Sequence, residues 1–225
     1  MRKKLEHRSY EFEVRADANE KGKIIEGIPI IYDKITDIGY FDEVIEKGAL
    51  KNADLTDVRF LVNHDDKRIP LARSRRNNGN STMKLEIIDD GLKVIVNLDT
   101  ENNTEARALY SAVERGDITG MSFMFTVEDD EWENKESEHP LRRVKKIGTL
   151  VEVSAVTFPA YKDTLINTRA ELDSSKEVLD KALEQFKNEK RIKELELEKL
   201  RFLFFEKLEV KWWILKSIYK VKKVN

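Results

Sequence analysis

The chain has 225 residues, 40% of them hydrophobic and 37% charged, with a formal net charge of −2. It can bury one core, yet much of it must stay solvated, because charged residues usually make up roughly 25% of a globular protein, and the near-neutral balance argues against a surface built throughout for nucleic acid or anionic membrane. There is no cysteine, which excludes disulfide scaffolds, thiolate zinc sites, thiol redox chemistry and cysteine nucleophiles. No apolar run of signal-peptide or membrane-span length is visible, so a soluble, intracellular protein is expected.

Alternation of Tyr10, Phe12 and Val14 against polar neighbours predicts a first strand over Ser9–Val14. A second is predicted over Lys23–Tyr32, kinked at Gly27 and Pro29. In Phe41–Leu50, Phe41, Val44 and Ile45 share a helical face and Gly48 is a natural stop, which predicts a short helix or helical turn. Val58–Asn63 reads as a strand delivering the chain to His64. Thr82–Ile88 and Leu92–Leu98, joined by Asp89-Asp90-Gly91, form the clearest hairpin. Thr104–Gly116 carries Ala106, Leu109, Tyr110 and Val113 at helical spacing, with Thr104 as the expected cap and Gly116 as terminator. Beyond it, Ile118–Val127 reads as a strand, Asp129–His139 as an acidic loop, and Leu141–Ile147 and Leu150–Phe158 as two strands around Gly148. Many short strands with few helices point to a barrel or sandwich with helices packed outside.

After Pro159 neither proline nor glycine occurs again, and Glu, Lys and Leu dominate. Leu172, Leu179 and Phe186 recur every seven residues and Leu197, Leu200, Phe204 and Leu208 continue the stripe, so Glu171–Leu208 reads as a long, imperfect coiled-coil-like helix needing a partner surface. The final stretch, Lys211–Asn225, combines Trp212-Trp213-Ile214-Leu215 with Lys216, Lys220, Lys222 and Lys223. It reads either as aromatic and basic contact surface for a headgroup, nucleic acid or protein, or as apolar cover with solvated lysines.

Three histidines are present. His7 lies in the charged lead and His139 in the acidic loop, so neither is expected to be held between strands, whereas His64 ends a strand, where a scaffold can hold a base accessible to solvent. Ser122 stands in Thr119-Gly120-Met121-Ser122-Phe123-Met124-Phe125. Alternation places Gly120, Ser122 and Met124 on one face and the large Met121, Phe123 and Phe125 on the other, so the hydroxyl is expected to look over a space cleared by glycine. Glu152, inside the apolar run Val151–Phe158, needs a partner for its carboxylate, and a protonated imidazole would serve. Each of these residues also has an ordinary structural reading.

Taken together, Asn63-His64-Asp65, Gly120-Met121-Ser122-Phe123, Glu152–Tyr161 and the earlier Phe41–Ala49 resemble the motifs of the prohead (capsid maturation) protease family of tailed phages, over about residues 8–168. The resemblance implies an α+β fold related to the herpesvirus assemblin proteases, a mostly antiparallel β-barrel surrounded by helices, as residues 1–168, with a helical tail at 169–225. It puts Ser122 at the family's nucleophile, His64 at its base, and Glu152 where assemblins carry a second histidine. Glu152 is preferred to Asp65, which adjoins His64 in sequence and is badly placed to reach the ring's far nitrogen. Many relatives have glycine where this chain has Met124. The implied activity is a serine endopeptidase, without cofactor or metal, that processes the scaffold, the major capsid protein and itself inside the assembling procapsid in the host bacterial cytoplasm. Self-association is expected and nucleic-acid binding is not. The competing expectation is an inert scaffold or assembly protein acting through its helical tail.

Overall fold

The structure, a computed structural model, describes residues 5–11, 15–19, 22–157 and 169–221. In chain order the strands are β1 (Glu6–Glu11), β2 (Arg15–Asn19), β3 (Gly22–Ile31), β4 (Thr36–Asp37), β5 (Asp42–Ile45), β6 (Asp57–Val62), β7 (Ala72–Arg75), β8 (Met83–Ile88), β9 (Gly91–Leu98), β10 (Gly120–Glu133) and β11 (Leu141–Val156). The helices are α1 (Thr104–Glu114), between β9 and β10, and α2 (Arg169–Val221).

β11 organises the larger sheet. β10 runs antiparallel along one edge of it, from Gly120 opposite Val156 to Glu133 opposite Leu141. Two parallel strands share its other edge, β5 beside Leu141–Val144 and β6 beside Glu152–Ala155. β1 adds outside β10, β4 outside β5 and β7 outside β6. The smaller sheet, in the order β2-β3-β9-β8, is antiparallel throughout. One apolar cluster joins the two sheets and α1, with Ile25, Leu92 and Val94 from the smaller sheet and Phe60, Phe123 and Val153 from the larger all fully buried. Each such side chain contributes about 1.5–3 kcal/mol.

The β8–β9 hairpin lies where its alternation puts it, and Gly91 is required there for a reason beyond turn chemistry. Its φ is +152°, and a Cβ at this position would stand 1.8 Å from the Ile30 carbonyl oxygen. The backbone of β3 approaches too closely for any side chain. The bend expected at Gly27 and Pro29 is a register shift between Gly27 and Ile30 in the β3–β9 pairing. α1 is capped one residue earlier than expected: Asn103 Oδ1 accepts the amides of Glu105 at 2.9 Å and Ala106 at 3.2 Å.

Several expectations are corrected. Phe41–Leu50 is not helical but forms β5 and a tight turn, because pairing with β11 buries Glu43, Val44 and Ile45 together, a run that one helical face could not bury. The acidic stretch after Val127 continues β10 to Glu133, with its carboxylates facing cations across the ladder, Glu131 to Lys145 and Glu133 to Arg143. Such cross-strand pairs stabilise a sheet. Gly148 does not split β11; the irregularity appears as register shifts against β10. The strands form two open sheets and not a closed barrel, and among the described residues the helices are α1 and α2 alone, not a surrounding set. The first strand starts at Glu6, earlier than Ser9; Phe12–Val14 and the Pro159–Tyr161 motif lie outside the described residues.

The chain divides into two compact units at Leu179/Asp180. In the first, the opening turns of α2 bury Ser175. The second is helix, on which Ile192, Leu195, Leu197, Leu200, Phe202 and Phe204 are each at least 52% exposed. The backbone of the aromatic and basic end is helical to Val221; the side chains of 212–221 lie outside the described part.

Candidate active site

The sheet order β1-β10-β11-β6 lays the candidate residues out in rows. Ser122 lies opposite Ser9 on one side and Ser154 on the other, and the next row runs His7, Met124, Glu152. Directly opposed residues on antiparallel strands lie about 5 Å apart at Cα and share a face. Ser122, Ser154, Met124, Glu152 and His7 therefore point to the same side of the sheet. His64 reaches that side from the end of β6, past Ser154 and Ala155 of β11.

The turn that delivers His64 has an unusual backbone. Asn63 and His64 have φ of +51° and +58°, consecutive left-handed residues of the kind that cluster at functional sites and persist only when their surroundings enforce them. The enforcement is visible. Asn63 N donates to Ala155 O at 2.9 Å, and Asn63 Oδ1 accepts the Thr157 amide at 2.9 Å. His64 N donates to Ser154 Oγ at 3.2 Å. Asparagine tolerates this conformation better than most residues, which accounts for Asn63 before His64.

With its backbone held, the His64 ring meets Glu152 through a hydrogen bond from Nδ1 to Oε1. The Ser154 hydroxyl donates to the other oxygen, Oε2, at 2.6 Å. Glu152 is 2% exposed, so the histidine and the serine complete the coordination that water would otherwise supply. With Nδ1 donating to the carboxylate, a neutral ring carries its lone pair on Nε2, which is buried and has no hydrogen-bond partner among the described residues. An oriented imidazole with an open nitrogen is the arrangement of a general base.

Ser122 does not look onto open space as alternation suggested. It is 0% exposed, because β1 covers that edge of β10, and its hydroxyl donates to the Arg8 carbonyl at 2.8 Å. The structure thus joins His64 to Glu152 and sets Ser122 on the adjoining strand beside them, without a hydrogen bond from Ser122 to His64. Asp65 turns elsewhere, pairing with Arg68.

His7 was expected in a loose lead but lies within β1, with its ring edge-to-face on that of His64 at 4.9 Å between centroids. β1 is fixed by buried charge. Arg8 Nε donates to Glu43 Oε1 at 2.5 Å and Arg8 Nη2 to Glu6 Oε2 at 2.8 Å. Arg142 Nη1 donates to the same Glu6 oxygen at 2.5 Å and to Glu43 Oε2 at 3.0 Å. Burial pushes the Glu6 carboxyl up, but Arg8 and Arg142 outweigh it and hold the group below the usual carboxylate range. Burial disfavours the charge on both arginines, and Glu43 and Glu6 overcome it, holding both above the ordinary guanidinium value.

Ser154, Asn63 and His7 are the members of this site that reading by spacing passed over. Ser154 carried a usable signal, standing two residues from Glu152 in an apolar strand and hence on the same face.

Residues 10–180 match the family model described as caudovirus prohead serine protease. Among solved structures, the bacteriophage T4 capsid assembly protease is similar at 13% identity and a TM-score of 0.37, over 68% of this chain and 99% of that one. No curated protein matches.

Proposed function

Because this chain belongs to the caudovirus prohead serine protease family, we propose that it cleaves peptide bonds with Ser122 as nucleophile, His64 as general base and Glu152 as the carboxylate that orients the imidazole. Family membership supports a serine protease of the capsid-maturation type; the residue roles are our reading. What carries it is the His64–Glu152 pair with Nε2 left open beside the strand of Ser122.

In this reading the Ser122 hydroxyl exchanges Arg8 O for His64 Nε2. His64 takes the serine proton as Oγ attacks the scissile carbonyl, and Glu152 stabilises the resulting imidazolium. Collapse of the tetrahedral intermediate passes the proton to the leaving amine and leaves an acyl-enzyme, which water then hydrolyses with the same base. Backbone amides would hold the oxyanion. The substrates are the major capsid protein, the scaffold and the protease itself, cut inside the assembling procapsid in the bacterial cytoplasm. The protease domain comprises residues 1–168 and the tail 169–225. The apolar side chains exposed on α2 from Ile192 to Phe205 support self-association through that tail.

A fluorophosphonate probe tests the nucleophile. Peptide mapping is expected to find the adduct on Ser122, with labelling lost in Ser122→Ala and strongly reduced in His64→Ala. Absence of labelling in a folded, assembled protein would favour the inert scaffold reading instead.

A further inference from the structure

We propose that His7, His64 and Glu152 form a binding site for a transition-metal dication such as Zn2+, and that its occupation takes His64 out of proteolysis. The metal site rests on geometry alone; its inhibitory consequence rests also on the role given to His64 above.

A ring nitrogen of each histidine and a Glu152 carboxylate oxygen lie within 4.8 Å of one another. Two imidazoles and one carboxylate make a familiar zinc ligand set, which leaves a fourth position for water. Bond lengths of about 2.0–2.2 Å put two ligands of a tetrahedral zinc roughly 3.4 Å apart. No gap therefore has to close by more than about 1.4 Å, and the His64–Glu152 contact has to widen to admit the ion.

The His64 nitrogen that a metal held by Glu152 would take is Nδ1, which already meets Glu152 Oε1, and a metal between them would displace the proton through which Glu152 orients the ring. The elements around it are also built to hold still. Ser154 Oγ fixes Glu152, as second-shell donors fix metal-binding carboxylates. His7 sits on β1, whose next residue, Arg8, is tied to Glu43 and Glu6 and donates from Nη1 to His7 O at 2.7 Å. The other grouping of potential ligands among the described residues, Asp37, Asp42 and His139, lies toward the surface, with Asp37 and His139 exposed.

The test uses the full chain carrying Ser122→Ala, so that binding is read without self-cleavage. Titration with Co2+ is expected to give visible absorption bands of a low-coordinate site at one ion per chain, bleached by one equivalent of Zn2+. His7→Gln is expected to weaken Co2+ binding by tenfold or more, and Asp42→Asn to leave it unchanged. Should His7→Gln melt lower than the parent without metal, His7→Asn takes its place. Equal Co2+ affinity with and without His7, or loss on Asp42→Asn, overturns the proposal. In the serine-containing chain, Zn2+ is expected to inhibit cleavage reversibly, with EDTA restoring it, and whatever cleavage His7→Gln retains is expected to resist Zn2+. A cleaving protease indifferent to Zn2+ defeats the inhibitory claim alone. A chain that binds Co2+ through His7 yet never cleaves defeats the proteolytic reading alone.

Discussion

Ser154 contacts both the base and its carboxylate partner and is expected to act as a positioning residue, so Ser154→Ala is an informative perturbation. The substitution removes a hydrogen bond of 2.6 Å to the Glu152 carboxylate and one of 3.2 Å from the His64 amide. The first is charge-assisted and worth about 1.5–3 kcal/mol; the second, longer and neutral, about 0.5 kcal/mol. With Glu152 only 2% exposed, water cannot replace the lost donor, and the carboxylate is left with His64 alone to hold its angle. If about 1.4–2.8 kcal/mol of this loss is felt when the imidazolium forms, kcat falls about 10–100-fold. KM should stay near the parent value, because Ser154 is buried and its hydroxyl is spent on Glu152 and His64. Ser154→Thr restores a hydroxyl on a residue that suits a strand and is expected to recover most of the rate. The assay is the initial rate of capsid-protein cleavage at several substrate concentrations. Parent kcat in Ser154→Ala, or equal loss in the alanine and threonine variants, would refute the reasoning.

Three further outcomes concern the scaffold behind the site. Glu43→Ala leaves Arg8 and Arg142, which are 1% and 3% exposed, to share Glu6 with one buried positive charge uncompensated, and is expected to cost about 3–5 kcal/mol; at about 2–4 °C per kcal/mol, calorimetry should find Tm lower by roughly 6–20 °C. Glu6 has its folded pKa lowered, so the stability it contributes is complete above its unfolded value, about 4.3, and disappears as pH falls through the folded value. Thermal melts from pH 8 to pH 3 should therefore be flat at first and drop in the acid range, with a shallower drop in Glu6→Gln. Gly91→Ala drives a methyl to 1.8 Å from the Ile30 carbonyl and is expected to cost about 3 kcal/mol, measured as a lower denaturation midpoint with unchanged slope.

What could be read from sequence follows from the range of the interactions. The β8–β9 hairpin, α1 and the strand leading to His64 are visible because periodicity and turn chemistry act over a few residues. Phe41–Leu50 misleads because its helical spacing is overridden by pairing with β11, a partner nearly 100 positions away: Asp42 lies opposite Leu141. The buried Glu6, Arg8, Glu43 and Arg142 look like solvated surface charges until folding gathers them from three strands. At the site, Glu152 is legible as a carboxylate out of place in an apolar strand. The cover over Ser122 is not, since alternation tells which face a hydroxyl takes but not which strand lies alongside. His7 was missed for the same reason, as nothing local marks the charged N-terminal lead as a strand of the larger sheet.

The central claim is that Ser122, served by His64, cuts the capsid protein, and the mass of that protein's N-terminal region tests it most directly. Co-expressed with the parent chain, the capsid protein should appear shortened to a defined new N-terminus, and with Ser122→Ala or His64→Ala it should keep its full mass. The same shortened product from the Ser122→Ala chain would contradict the account.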